Sequence, residues 1–404
     1  MGAITGTNQT LRLAVSLDHS KVVAAAYTVR TEALAKEGSR AITVHGFAKA
    51  ETRMVTATGP VSLREASDVI LELTEAVETQ TGQHFSDVAV CFASCHLSLG
   101  GHSTRIRPKA ERITDRDLAE VHRLSSEAGA QATCEGSHRY LRTHSPFFLD
   151  QHTVTKDPEG LAAQWIARTE WAFSDRRTSL INWIEAFKLC GLRVRRVVPQ
   201  PLASLYASAT DYERKQGIMV VDIGHSLTQI IVCRDHLLRF CKIHNLGGDR
   251  ITDDLSICLK MPPSEAESVK KNLGAVRAST VNPLTPEIVR ARATEMARFV
   301  RTVSDKALRP RDYVSGVVLV GGGSKLTGLV QEFRQQVHPL CRTASHFGLL
   351  GLPELLDDPS FATLAGCMFV DAGACLESFG IQDDLPTDGR ARKTRGWNLF
   401  ARFF

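Results

Sequence analysis

The chain of 404 residues has no run approaching ~18 consecutive apolar residues, the length a helix needs to cross a bilayer core. No spanning helix is expected. Residues 1–10 lack a basic start followed by an apolar stretch, so no secretory signal is expected either. Position 6 is Gly6, where myristoylation of Gly2 would require Ser or Thr. Aromatic residues are scarce, at 6% of the chain, and no nucleic-acid motif groups them with basic residues, so no nucleic-acid partner is expected. The ten cysteines form no zinc-ligand array. Cys91, Cys190, Cys233, Cys241, Cys258 and Cys367 sit in apolar runs, and Cys91 and Cys95 have no complementary pair. They read as reduced core thiols of a cytoplasmic protein. Acidic residues are absent from Gly389 to the end, where five basic ones stand, although the whole chain carries only +5. One reading of that stretch is a solvated basic tail.

What is present is ordinary in bulk: 43% hydrophobic and 23% charged residues, in a chain long enough for two to four domains. Strands are expected at 11–17, 22–29, 40–48 and 87–92, and again at 218–223, 228–233 and 237–243. Helical spacing covers 63–81, 114–129, 158–172 (with strand character at its end), 177–190, 200–214, 247–259, 264–272, 285–308, 325–337 and 361–376. Strands alternating with helices predict α/β layers. Asp18 and Asp222 each end a first strand before a His-containing turn, which hints at internal duplication. Residues 377–395 are polar with no sustained period and read as a linker.

Two Gly-rich turns follow strands: Asp222-Ile223-Gly224-His225-Ser226, and Val320-Gly321-Gly322-Gly323-Ser324. Such turns aim backbone N–H groups at a phosphate, and a strand-end carboxylate can hold a metal through water. Cys190-Gly191-Leu192-Arg193-Val194, Pro201-Leu202-Ala203-Ser204, Gly247-Gly248 and Pro262-Pro263-Ser264-Glu265-Ala266-Glu267 fall in order around them, and the last turn continues as Lys325-Leu326-Thr327-Gly328-Leu329. With these residues the chain, from about Leu11 to Phe404, resembles the actin-like ATPase superfamily, and within it the bacterial FtsA cell-division family.

The resemblance implies an actin-like fold. Two duplicated ribonuclease-H-like lobes are expected, with a small inserted α+β domain and a C-terminal amphipathic helix. The first lobe would take residues 11–93 and 173–206, the insert 94–172, the second lobe 207–246 and 315–376, and its upper part 247–314. ATP and Mg2+ are the implied cofactors. Nucleotide would meet Asp18, Ser20 and Lys21 at the first turn and Asp222, Gly224, His225 and Ser226 at the second. Gly247 and Gly248 would also meet the nucleotide, Glu267 and Lys270 would face the ribose and base, and Gly321, Gly322, Gly323 and Ser324 the adenosine. Asp18 and Asp222 match the metal-side carboxylates. Read without the resemblance, Glu267 and Lys270 lie on a solvated helix face and the two aspartates form turns.

The departures bear on catalysis. The first turn, Leu17-Asp18-His19-Ser20-Lys21-Val22, is shorter than the family's and has no Gly. The second keeps only Gly224, and Gln229 replaces a later Asp. His19 and His225 either meet the phosphates or block them. Hydrolysis is expected to be weak or absent, and no catalytic residue is assigned. A small-molecule kinase of the same superfamily would need a catalytic carboxylate where Gln200 stands.

Residues 396–404 close the chain. As a helix, Trp397, Phe400, Ala401 and Phe404 form one stripe that Leu399 and Phe403 widen, with Asn398 and Arg402 opposite. This reads as a helix lying in a lipid surface, or else as one docked on the protein's own core. The family resemblance implies a peripheral protein on the cytoplasmic face of the bacterial inner membrane at the division site. It would tether the FtsZ filament through the FtsZ C-terminal tail, self-associate into filaments, and meet other division proteins through 94–172. The alternative is a PilM-like platform protein of type IV pilus assembly.

Overall fold

The computed structural model describes residues 10–30, 42–150, 153–272, 282–308, 314–345, 347–351, 357–373, 382–383 and 385. The expected membrane helix 396–404 lies outside the described residues, as do Trp397, Leu399, Phe400, Arg402, Phe403 and Phe404. No helix among the described residues is long and apolar enough to cross a membrane.

Leu13 to Leu17 and Ile218 to Ile223 are apolar almost without interruption and buried on both faces, as central strands must be. Each anchors a five-stranded sheet. In the first, Arg12–Asp18 pairs antiparallel with Lys21–Val29, which pairs antiparallel with Ile42–Glu51. On its other side Asp87–Phe92 and then Arg193–Pro199 run parallel to it. In the second, Ile218–Ile223, Thr228–Arg234 and Leu237–His244 form the antiparallel meander, and Val317–Val320 and Cys341–Thr343 the parallel extension. The order is the same in both sheets, so the kinship of Asp18 and Asp222 reflects one topology used twice.

Alternation along Ile218–Ile223 divides the core. Ile218 and Val220 join a cluster with the first sheet, while Met219, Val221 and Ile223 join a second cluster under Leu284–Ala307. Helices Gln200–Ser208 and Ala362–Ala372 pack on one another and against strands of the two sheets. A Cβ on Gly366 would lie 1.8 Å from the carbonyl oxygen of Ala203, so this contact requires glycine. Leu63–Thr81 matches its expected helix because every local signal agrees. The Glu65 N–H donates to Ser62 Oγ, Ala66, Ile70, Leu73 and Val77 face inward, and Gly82 ends it at φ 67°.

Five expectations change. Residues 158–172 are not a helix: Ile166–Arg176 is the central strand of a third sheet, flanked by Ser98–Ile106 on one side and by Ser137–His144 and Phe147–Leu149 on the other. The 200–214 helix is two. It breaks at Ala209, and Thr210 caps a new helix, Asp211–Gln216, in a capping box with Glu213. Residues 325–337 begin as a 3₁₀ turn at Gly322–Lys325 and become α-helical at Leu329–Gln336. Within 377–395, Gln382 and Asp383 pair with Arg142 and Leu141, adding a short strand to the third sheet. The described cysteines are all free, and Cys258 is exposed rather than in the core.

Candidate nucleotide cleft

Both central strands end at one cleft of about 440 Å³ between the lobes, within the size range of ligand pockets. Of the residues expected at nucleotide, Asp18, Ser20, Lys21, Asp222, Gly224, His225, Gly248, Glu267, Lys270, Gly321, Gly322 and Gly323 line it. Ser226, Gly247 and Ser324 do not. Ser324 turns inward and donates to the Gly321 carbonyl at 2.7 Å, closing the 3₁₀ turn. Gly247 is a packing position: a Cβ there would lie 2.2 Å from the His225 carbonyl oxygen.

The three consecutive glycines have different jobs. Gly321 adopts φ 81°, and a Cβ on it would approach Asp222 Oδ1 to 2.4 Å. A Cβ on Gly323 would strike Ile223 Cγ2 at 2.4 Å. Gly322 is open, with its nearest neighbour, Ser360 Cβ, at 4.0 Å. Only Gly322 can take a side chain without displacing protein atoms, and that side chain would enter the cleft.

Asp18 accepts from Gln200 Nε2 at 2.7 Å and more weakly from Ser16 and Thr363, each at 3.4 Å, all through Oδ1. Asp222 Oδ2 accepts from Ser204 Oγ at 2.6 Å. Burial pushes both carboxyls up, Asp222 to about 6. A buried and a half-buried carboxylate facing a cleft are the hard oxygen donors a divalent cation prefers, and a cation would offset their desolvation. The residues fit Mg2+ held partly through water. No group of three or more His, Cys, Asp or Glu among the described residues forms a metal site of its own.

The basic groups are already engaged. Lys21 Nζ donates to the Ser360 carbonyl and hydroxyl, both at 2.8 Å, and sits 4.0 Å over the Phe361 ring. Lys270 Nζ donates to the Gly248 carbonyl at 2.8 Å and lies 2.7 Å from Glu267. Burial raises Glu267, but bonds from Lys270 and Thr252 outweigh it and hold the carboxyl below its usual range. Burial and the nearby His225 bring His19 down to about 4, so its imidazole is neutral at pH 7, and its Nε2 is buried without a partner among the described residues.

Sequence reasoning missed several lining residues. Ser360 and Thr363 line the cleft against the first turn, more than 300 residues away in the chain. The one local signal was Asp358, whose side chain caps Pro359–Phe361. Ile251, Met296, Leu326 and Leu329 give the cleft its apolar part, and their helical spacing marks them only as core.

Two matching sheets, joined by packed helices and closing on a cleft at their central strand ends, define the actin-like ATPase fold. A solved structure of a PilM–PilN type IV pilus biogenesis complex superposes with a TM-score of 0.65 at 15% identity, covering 90% of this chain and 99% of that one. The ethanolamine utilization protein EutJ from Carboxydothermus hydrogenoformans superposes at 0.50 with 17% identity, covering 88% of this chain and 90% of that one. Within this class the chain resembles the FtsA cell-division proteins. The family profile of cell division protein FtsA matches residues 219–366. FtsA of Escherichia coli K12 is 22% identical over 393 residues, 90% of this chain and 91% of its own. FtsA of Neisseria meningitidis serogroup B is 27% identical over 244 residues, 55% of this chain and 59% of its own.

Proposed function

We propose that this chain is a bacterial division protein that fastens the FtsZ filament to the cytoplasmic face of the inner membrane. It binds an adenine nucleotide between its lobes with slow or no hydrolysis. One observation carries the reading. The FtsA match over 219–366 spans Asp222 to His225, Gly248, Glu267, Lys270 and Gly321 to Gly323, all of which line the cleft. A merely shared fold would not require the FtsA pattern there.

The remaining parts of the proposal follow from the family resemblance and the end of the chain. The upper second lobe, 247–314, receives the FtsZ C-terminal tail. Residues 94–172 meet other division proteins and neighbouring copies in a filament, and 396–404 enters lipid behind the 377–395 linker. The likeness to the PilM–PilN structure across 90% of the chain supports a second reading, a platform protein of pilus assembly. The two readings differ in place. A fluorescent fusion expressed in its own cells should gather at the division site and lose that position when 396–404 is removed. A fusion found at pilus assembly sites in undisturbed dividing cells would support the second reading instead.

A further inference from the structure

The two turns that face each other across the cleft leave little to hold the end of a triphosphate. Asp18 pairs directly with Lys21, so the first turn consists of His19 and Ser20 alone. Two residues supply two amide N–H groups and cannot wrap a phosphate as a Gly-rich loop does. The second turn spends the Gly224 N–H on the Leu227 carbonyl at 2.9 Å. Its Gly224 and His225 carbonyls accept from Gly248 and Asp249, at 3.0 and 2.8 Å. The turn is therefore pinned to the helix Gly248–Leu259 behind it.

His19 and His225 line the cleft at these turns, where smaller residues would leave more room. Each lysine lining the cleft has an acceptor already. Lys21 is on Ser360, Lys49 on Glu51, Lys270 and Lys271 on Glu267, and Lys325 on Asp358. A terminal phosphate would arrive with more negative charge and three acceptor oxygens, and would meet two imidazole rings and the carboxyls of Asp18 and Asp222. Stripping its water there is costly unless new donors replace it. The adenosine side is unobstructed, because Gly322 leaves the cleft open.

We infer that His19 and His225 fill the place of the terminal phosphate, so that the cleft takes an adenine nucleotide no longer than a diphosphate. The inference rests on the reading of the cleft as an adenine-nucleotide site and sets the length of its ligand. The test is calorimetric titration of the full chain with adenosine, AMP, ADP, and ATP or its non-hydrolysable imido analogue, each with and without Mg2+. ADP should bind at least tenfold more tightly than ATP in both conditions. In the double variant His19→Gly with His225→Gly, the ratio of ATP to ADP affinity should rise at least tenfold. His225→Ala alone, checked by thermal melting, should move the ratio the same way if the double variant does not fold. ATP binding as tightly as ADP to the unaltered chain, or a ratio unmoved in folded variants, would overturn the inference and leave the adenine site standing. Binding of none of these ligands would overturn both.

Discussion

Gln229 donates its side-chain N–H to Gln200 Oε1 at 2.9 Å. Gln200 in turn donates to Asp18 Oδ1 at 2.7 Å and to the Leu17 carbonyl at 3.1 Å. Two amides thus stand where the family resemblance implies carboxylates, joined by one hydrogen bond at the root of the cleft. An amide cannot take a proton from water, and one tied on both sides cannot turn toward it. Turnover of ATP at saturation should fall below roughly 1 per second, the low end of ordinary enzymes. Phosphate release with Mg2+ and liposomes present checks this, and a faster rate contradicts it.

Gly322 separates binding from folding. Gly322→Val should abolish nucleotide binding while leaving the melting temperature within a degree or two of the unaltered chain, because its Cβ meets only Ser360 at 4.0 Å. Gly321→Val and Gly323→Val should instead destabilise the fold by about 1–3 kcal/mol or more through overpacking against Asp222 and Ile223. Melting curves beside titrations distinguish the two outcomes. Unchanged affinity in folded Gly322→Val would count against a ligand at this turn.

Acid should weaken the fold through half-buried histidines. Burial first, then Arg168 and His144, lower His122 to about 4, and burial lowers His19 similarly. Arg168 donates to the His122 ring, which must be neutral to accept. A histidine whose folded pKa is depressed contributes stability that is present above its unfolded value near 6.5 and lost as pH falls through about 4. His122→Gln should therefore lose less melting temperature than the unaltered chain between pH 7 and pH 4. Parallel slopes for the two proteins would show that His122 does not titrate in this window.

The tail should act through apolar area and basic charge together. Full burial of a large apolar side chain is worth roughly 1.5–3 kcal/mol, and interfacial burial gives only part of that. Each basic residue near an anionic surface adds about 1 kcal/mol. Removing 396–404, or combining Trp397→Glu with Phe400→Glu, should leave a folded protein that no longer sediments with anionic liposomes. Added salt should weaken binding of the intact chain without abolishing it. Sedimentation of the truncated chain at the intact level would move the anchor elsewhere and favour a helix docked on the protein.

Much of the architecture was legible in the sequence because its signals were local. Ser62, the apolar spacing through Val77 and Gly82 all specify one helix, and the two meanders read as strand, turn, strand. Ile166–Arg176 was misread because its alternation includes a buried Glu170, bonded to Arg139 and His144 inside the third sheet. A pattern that expects apolar residues inward does not register a buried ion pair. The Thr210 to Glu213 capping box was a readable signal within a longer helical period. In the cleft, the turns were visible in sequence but not the partners that engage them. That Ser360 engages Lys21, or that Gln229 and Gln200 bond each other, depends on strands and helices meeting from distant parts of the chain.

The central claim is that this chain joins a division filament to lipid. Its most direct test is sedimentation of purified FtsZ, polymerised with GTP, in the presence of anionic liposomes and this protein. FtsZ should sediment with the liposomes when the intact chain is present. It should stay in solution when 396–404 is deleted or when FtsZ lacks its C-terminal tail. The account is contradicted if the intact chain sediments with the liposomes while FtsZ remains in solution.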